Sequence, residues 1–248
     1  MKISLCIPMY NEAKIAADTA RTLWDAMAEN RRLHGWDFEI LFADDGSLDD
    51  CADRVRAVAA EGKGEIRVVG YEKNRGKGAA VREAVLASTG DIVIYTDCDL
   101  AYGTDVIAEA ILRYNPGVDA VTGSRRLSGG GYEGYTPIRK IASAVYFGIL
   151  KTVGGLRLSD SQCGFKSFRG DLARRIFAEC ETNGFAFDFE VLLLAEKLAV
   201  RIEEMPVTII NHRASTVHVV RDSIRMVRDL LRIKKRVRRV TFDTGCIQ

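Results

Sequence analysis

Up to about Gly123 the chain alternates short apolar runs, rich in Ile and Val, with longer stretches whose apolar residues recur at helical spacing. A continuous apolar run suits a strand covered on both faces, and a 3.6-residue period suits a helix laid upon it. The alternation therefore predicts βαβ units about a mostly parallel sheet. Strands are expected at Ile3–Ile7, Glu39–Ala43, Ile66–Gly70, Ile92–Thr96 and Ala120–Thr122, with helices over Glu12–His34, Asp49–Glu61, Lys77–Ser88 and Asp105–Tyr114. Beyond Gly123 the rhythm changes. A glycine-rich loop, Ser128-Gly129-Gly130-Gly131-Tyr132, leads to a helix near Ile138–Val153. Then come Gln162–Phe168, helices near Gly170–Glu179 and Asp188–Ala199, a strand near Glu203–Ile210 and a last helix over Arg221–Arg239. The organisation expected is one α/β domain over residues 1–220, divided near 125, followed by the helix 221–239 and a tail, 240–248.

Composition narrows the class. The chain has 248 residues, 47% of them hydrophobic, which is enough to bury a sizeable core, and only four prolines, with no low-complexity stretch that would signal disorder. A net charge of +2 lacks the cationic excess of a nucleic-acid-binding face, so nucleic acid is not expected as a partner. No apolar run reaches the roughly 18 residues of a membrane span, and the opening segment lacks a secretory cleavage site, so a cytoplasmic protein is expected. The six cysteines, at 6, 51, 98, 163, 180 and 246, form no CxxC pair and are read as free thiols, with neither a zinc site nor a disulfide framework.

Three expected strands end in polar sequences: Pro8-Met9-Tyr10-Asn11-Glu12, Asp44-Asp45-Gly46-Ser47 and Asp97-Cys98-Asp99. Ligands of open α/β sheets bind beyond the carboxyl ends of the strands, so the three should share one crevice. Two carboxylates at i and i+2 leaving a strand can grip a divalent cation whose remaining shell comes from water and a ligand's phosphates. Isolated DxD sequences are mostly solvated acidic turns, but this one follows an apolar strand and faces a second acidic strand end. At that second end Ser47 or Asp49 would cap the next helix, leaving Asp44 and Asp45 to accept hydrogen bonds from a base or ribose. Asn74-Arg75-Gly76-Lys77-Gly78 opens a helix and presents amides and a lysine to a phosphate; close packing of loop on helix explains its glycines equally well. No GxGxxG follows the first strand, which counts against nicotinamide or flavin chemistry.

Taken with Gly123-Ser124-Arg125, Asp160-Ser161-Gln162-Cys163-Gly164-Phe165-Lys166 and Phe185-Ala186-Phe187-Asp188-Phe189-Glu190, these motifs run in the order seen in family 2 glycosyltransferases of the GT-A fold. More narrowly, the chain resembles the polyprenyl-phosphate sugar transferases, of the dolichyl-phosphate glucosyltransferase and dolichol-phosphate mannose synthase type, from Met1 to about Arg239. The resemblance implies a nucleotide-sugar and metal half over 1–125 and an acceptor half over 126–220. Pro8, Tyr10, Glu12 and Asp44 would bind the nucleotide, with Asp45 and Lys77 near the ribose and phosphates. Asp97 and Asp99 would hold Mg2+ or Mn2+. Where mannose synthases have a glutamine that joins the metal, this chain has Ala101. Arg125, Arg139 and Ser143 would take the acceptor phosphate, arginine's planar fork suiting phosphate oxygens. A Gly-Ser-Lys element of the family is Ala214-Ser215-Thr216 here, so its cation would have to come from Arg213 or His212. For Asp160, Asp188 and Glu190, an active-site part and a capping or salt-bridging part are both open.

The reaction implied moves a hexose, from UDP-glucose or GDP-mannose, to a polyprenyl phosphate with inversion. A phosphate monoester is largely dianionic at neutral pH and needs no general base. A hydroxyl acceptor on a glycan or small molecule would need one, with Asp188 or Asp160 the candidates. A third reading is a catalytically silent nucleotide-binding or scaffolding module. The last helix bears on the acceptor, because residues 221–239 carry a net +7. Val220, Ile224, Val227, Leu230, Leu231, Ile233 and Val237 form an apolar stripe, opposite Arg221, Arg225, Arg228, Arg232 and Arg239. Such a helix suits peripheral binding to an anionic membrane surface, packing on the domain, or pairing of two copies.

Overall fold

The computed structural model describes residues 1–128, 158–211 and 229–242. The chain runs β1 (Lys2–Met9), α1 (Ala16–His34), β2 (Asp37–Asp44), α2 (Cys51–Ala60), β3 (Ile66–Gly70), α3 (Lys77–Ala87), β4 (Ile92–Tyr95), α4 (Asp105–Leu112), β5 (Ala120–Ser124), β6 (Lys166–Arg169), α5 (Gly170–Ala178), α6 (Phe187–Lys197) and β7 (Ile202–Pro206). A further helical stretch, α7, covers 229–237. The strands form one sheet in the order β3-β2-β1-β4-β6-β5-β7. All neighbours are parallel except β6, which lies antiparallel between β4 and β5.

Strand alternation divides the core into two layers. Ile3, Leu5 and Ile7 of β1, with Phe38, Ile40 and Phe42 of β2, pack beneath α1 and α2. Cys6, Leu41, Ala43, Val93 and Tyr95 face the other way, against α3, α5 and α6. The central strands β1, β2 and β4 thus have apolar cover on both sides, as their largely hydrophobic sequences require. Gly35, with φ 70°, closes α1 by donating its N–H to the Arg31 carbonyl.

Two elements differ from expectation. The first helix begins at Ala16 rather than Glu12, because the Glu12 carbonyl takes the Ile15 and Ala16 amides and Asn11 sits in the left-handed region, φ 54°. The strand expected over Glu203–Ile210 stops at Pro206. Its partner β5 ends at Ser124, and the following residues turn away so that Ile210 N–H reaches the Ala101 carbonyl. Among the described residues no helix is long and apolar enough to cross a membrane.

The described part of the C-terminal helix packs inward. Leu230, Ile233 and Val237 are buried in the layer formed by α5 and α6, and Arg236 pairs with the buried Glu190 at 2.5 Å. Of the three roles open to this helix, packing on the domain holds for these residues, whereas Val220, Ile224 and Val227 lie outside the described residues. Leu231 departs from the expected stripe and is exposed.

Candidate active site

The carboxyl ends of β1, β2, β4 and β5 share one edge of the sheet, and the motif residues gather there. Two loops are stapled first. Asn11 N–H donates to Ser47 Oγ at 3.0 Å, and Leu48 N–H returns to Asn11 Oδ1 at 2.8 Å. Pro8 is buried in β1, while Tyr10, next in chain to Asn11 of that staple, is 43% exposed. Asp49, just before the N-cap residue Asp50, accepts the Cys51 N–H at the start of α2 and also receives Ala13 N–H. Asp44 accepts one hydrogen bond, from Ser47 N–H at 3.0 Å, and is partly exposed at the strand end.

Asp45 departs from expectation. Its carboxylate, 3% exposed, receives the Tyr71 hydroxyl at 2.7 Å, the Asn74 amide at 2.9 Å and the backbone N–H groups of Arg75 and Gly76 at 2.9 Å. Both oxygens are occupied, so Asp45 anchors the loop that leads to Lys77 instead of standing open to a ribose. Neighbouring Gly46 has φ 67°, and a Cβ there would lie 2.6 Å from Asn74 N, so only glycine lets the two loops close on each other.

Asp97 and Asp99 leave β4 on a turn held from both sides. Thr19 Oγ1 donates to the Cys98 carbonyl at 2.7 Å, and the Asn211 amide donates to the carbonyls of Asp99 and Leu100. Asp99 Oδ1 itself receives Ala101 N–H at 3.1 Å. The Lys77 ammonium forms an ion pair with Asp97. Burial alone would lower the Lys77 pKa, but the charges of Asp97 and Asp188 outweigh it and raise it. A cation is thus already drawn to the place where a metal is expected. Among the described residues no group of three or more His, Cys, Asp or Glu could hold a metal ion. The donor set fits an ion of the Mg2+ type, which takes one or two carboxylates and completes its shell from phosphates and water.

The remaining expected site residues divide. Arg125, after β5, grips Asp160 through Nε at 2.7 Å and Nη2 at 2.9 Å, and its backbone N–H adds a third bond. Burial would raise the Asp160 carboxyl, but the hydrogen bonds and charge of Arg125 outweigh it and hold it below the ordinary range. Asp188, at the start of α6, receives the Lys166 ammonium at 2.7 Å and the Tyr95 hydroxyl at 2.8 Å. Glu190 accepts the Thr182 and Glu181 amides and pairs with Arg236, the salt-bridging contacts expected of it. Glu12 is partly exposed at the crevice. Arg139, Ser143, His212 and Arg213 lie outside the described residues.

Sequence reasoning passed over Lys166, Tyr95 and Glu204, whose carboxylate receives Ser159 and Asp160 amides and so sets the loop carrying Asp160. The signal available for Lys166 was a charged residue leading an otherwise buried strand.

Comparison with known proteins gives this edge a context. Residues 4–177 match the model of Glycosyl transferase family 2. The glycosyltransferase AglD of Haloferax volcanii is 30% identical over all of this chain, which spans 40% of AglD. A dolichyl-phosphate β-glucosyltransferase of Dictyostelium discoideum is 29% identical, the match covering 94% of this chain and 74% of that one. Among solved structures, glucosyl-3-phosphoglycerate synthase of Mycobacterium tuberculosis, with Mn2+, UDP-glucose and phosphoglyceric acid, superposes with a TM-score of 0.68 at 19% identity over 98% of this chain and 81% of that chain. Mannosyl-3-phosphoglycerate synthase of Rubrobacter xylanophilus gives 0.65 at 19% identity, over 99% and 78%. These likenesses show the GT-A fold, and the match of the family model over most of the sheet shows more: the chain belongs to glycosyl transferase family 2.

Proposed function

We propose that the chain transfers a hexose from a nucleotide-diphosphate sugar to a polyprenyl phosphate, with inversion, at the cytoplasmic face of a membrane. One observation supports this acceptor over a hydroxyl: both carboxylates that could serve as a general base are already committed. Asp160 is clamped by Arg125, and Asp188 by Lys166 and Tyr95. A hydroxyl nucleophile needs a carboxylate able to take its proton, whereas a phosphate dianion attacks without one. The naming of several relatives as dolichyl-phosphate β-glucosyltransferases points the same way.

The residues divide the work. Pro8, Tyr10, Glu12 and Asp44 border the nucleotide, and Lys77 meets its phosphates. Asp97 and Asp99 would hold a Mg2+ or Mn2+ ion, which supplies charge neutralisation for the departing diphosphate. Arg139, Ser143 and Arg213 would receive the acceptor phosphate and set its oxygen behind the anomeric carbon, beside Arg125, whose Nε and Nη2 already hold Asp160. The exposed Arg232, Lys235, Arg238 and Arg239 of the C-terminal helix support contact with an anionic surface.

Incubation with radiolabelled UDP-glucose or GDP-mannose, Mn2+, and either a short prenyl phosphate or a sugar acceptor tests this. Label that partitions into organic solvent is expected. Water-soluble glycoside would instead favour a hydroxyl acceptor, and nucleotide binding without transfer a silent module.

A further inference from the structure

Resting on the metal reading of Asp97, we infer that Lys166 is a positioning residue for that carboxylate. The Lys166 side chain is fully buried, and its ammonium donates to Asp188 at 2.7 Å and to the Cys163 carbonyl at 2.6 Å. Burying an ammonium is expensive, and apolar residues of similar volume commonly replace a buried ion pair without loss of stability. What a lysine adds is direction: it fixes where one particular carbonyl sits.

That carbonyl belongs to the turn on which Asp97 rests. A Cβ built on Gly164 would lie 2.3 Å from Asp97 Oδ2, and Gly164 N–H donates to the Tyr102 hydroxyl at 3.3 Å. The turn is therefore pressed against the Asp97 carboxylate, with no room for a side chain between them. On its other side Asp97 meets the Lys77 ammonium. Two ion pairs thus border the site: Lys166 with Asp188 joins the start of β6 to the start of α6, and Lys77 with Asp97 joins the start of α3 to the turn after β4. Register supports the same link, since Lys166 pairs with Tyr95 across β4 and β6, and the Tyr95 hydroxyl donates to Asp188. Lys166 touches neither of the expected substrates; it acts through the turn.

The test measures the Mn2+ concentration that half-saturates UDP binding, by fluorescence titration of the whole protein without turnover. Lys166→Met is expected to raise that concentration at least tenfold while UDP binding at saturating Mn2+ changes less than threefold. Gly164→Ala leaves the buried pair intact and crowds the far end of the Asp97 side chain, so it is expected to act in the same direction with little change in thermal midpoint. If Lys166→Met fails to fold, Lys166→Arg, which keeps a cation against Asp188 but cannot set the same donor on the Cys163 carbonyl, takes its place and is expected to raise the Mn2+ requirement in the same direction. Variants that are less stable but have an unaltered Mn2+ requirement would make Lys166 a packing residue and overturn the inference. A wild-type protein that binds UDP equally with and without Mn2+ would overturn the metal reading and this inference with it.

Discussion

At the residue scale, two adjacent aspartates at the end of one strand do different work. Asp44 receives a single backbone N–H, whereas Asp45 receives a hydroxyl, an amide and two backbone N–H groups from the loop 71–76. Removing Asp45 takes the shared acceptor from four donors of the loop 71–76, so Asp45→Ala is expected to cost about 1–3 kcal/mol in urea unfolding. Asp44→Ala should change stability by less than about 1 kcal/mol and weaken nucleotide binding instead. A third carboxylate shows the pH dependence that pairing creates. Burial alone would raise Glu39, but hydrogen bonds from Ser4, Thr89 and Arg67 outweigh it and bring its pKa down to about 2 from an ordinary 4.5. A depressed folded-state pKa gives stability that is present above the unfolded value and is lost as pH falls toward the folded one. Glu39 should therefore account for about 3 kcal/mol that disappears between pH 4.5 and 2, and Glu39→Gln should flatten that part of the stability profile. The sequence marked Asp44 and Asp45 as a pair but could not tell them apart, because Tyr71 and Asn74 reach Asp45 from another strand's loop.

At the element scale, the first five strands and the helices α1 to α4 were legible because each carries its own period. The antiparallel strand β6 was not. Four residues led by a lysine show no alternation, and that lysine is buried only because Asp188, on α6, lies opposite it. The C-terminal helix was legible as amphipathic, but the period does not say what covers the stripe. In the structure Leu230, Ile233 and Val237 close the layer beside α6, and Lys197 donates to the Val237 and Arg238 carbonyls. Leu230→Ala and Ile233→Ala are accordingly expected to cost about 2–4 kcal/mol each, read as lowered urea midpoints. Arg232→Glu, on the exposed face, should leave the midpoint within about 0.5 kcal/mol and reduce sedimentation with anionic vesicles.

At the scale of the whole molecule, the strand order brings the described strand-end motifs to one edge. Parallel strands β1, β2, β4, β5 and β7 deliver their carboxyl ends there, and antiparallel β6 starts from the same edge, which brings the turn before Lys166 against Asp97. Motif order in the sequence was enough to foresee this convergence; it was not enough to foresee that Asp160 and Asp188 would each be neutralised by a cation from a distant segment. The central claim is that Asp97 and Asp99 jointly hold the cation that carries the diphosphate. Anomalous scattering from crystals grown with Mn2+ and UDP tests it most directly. A single strong manganese peak in direct contact with both carboxylates and with the diphosphate oxygens is the predicted result. Nucleotide bound at this edge with no manganese on either carboxylate, or manganese held elsewhere, would contradict it.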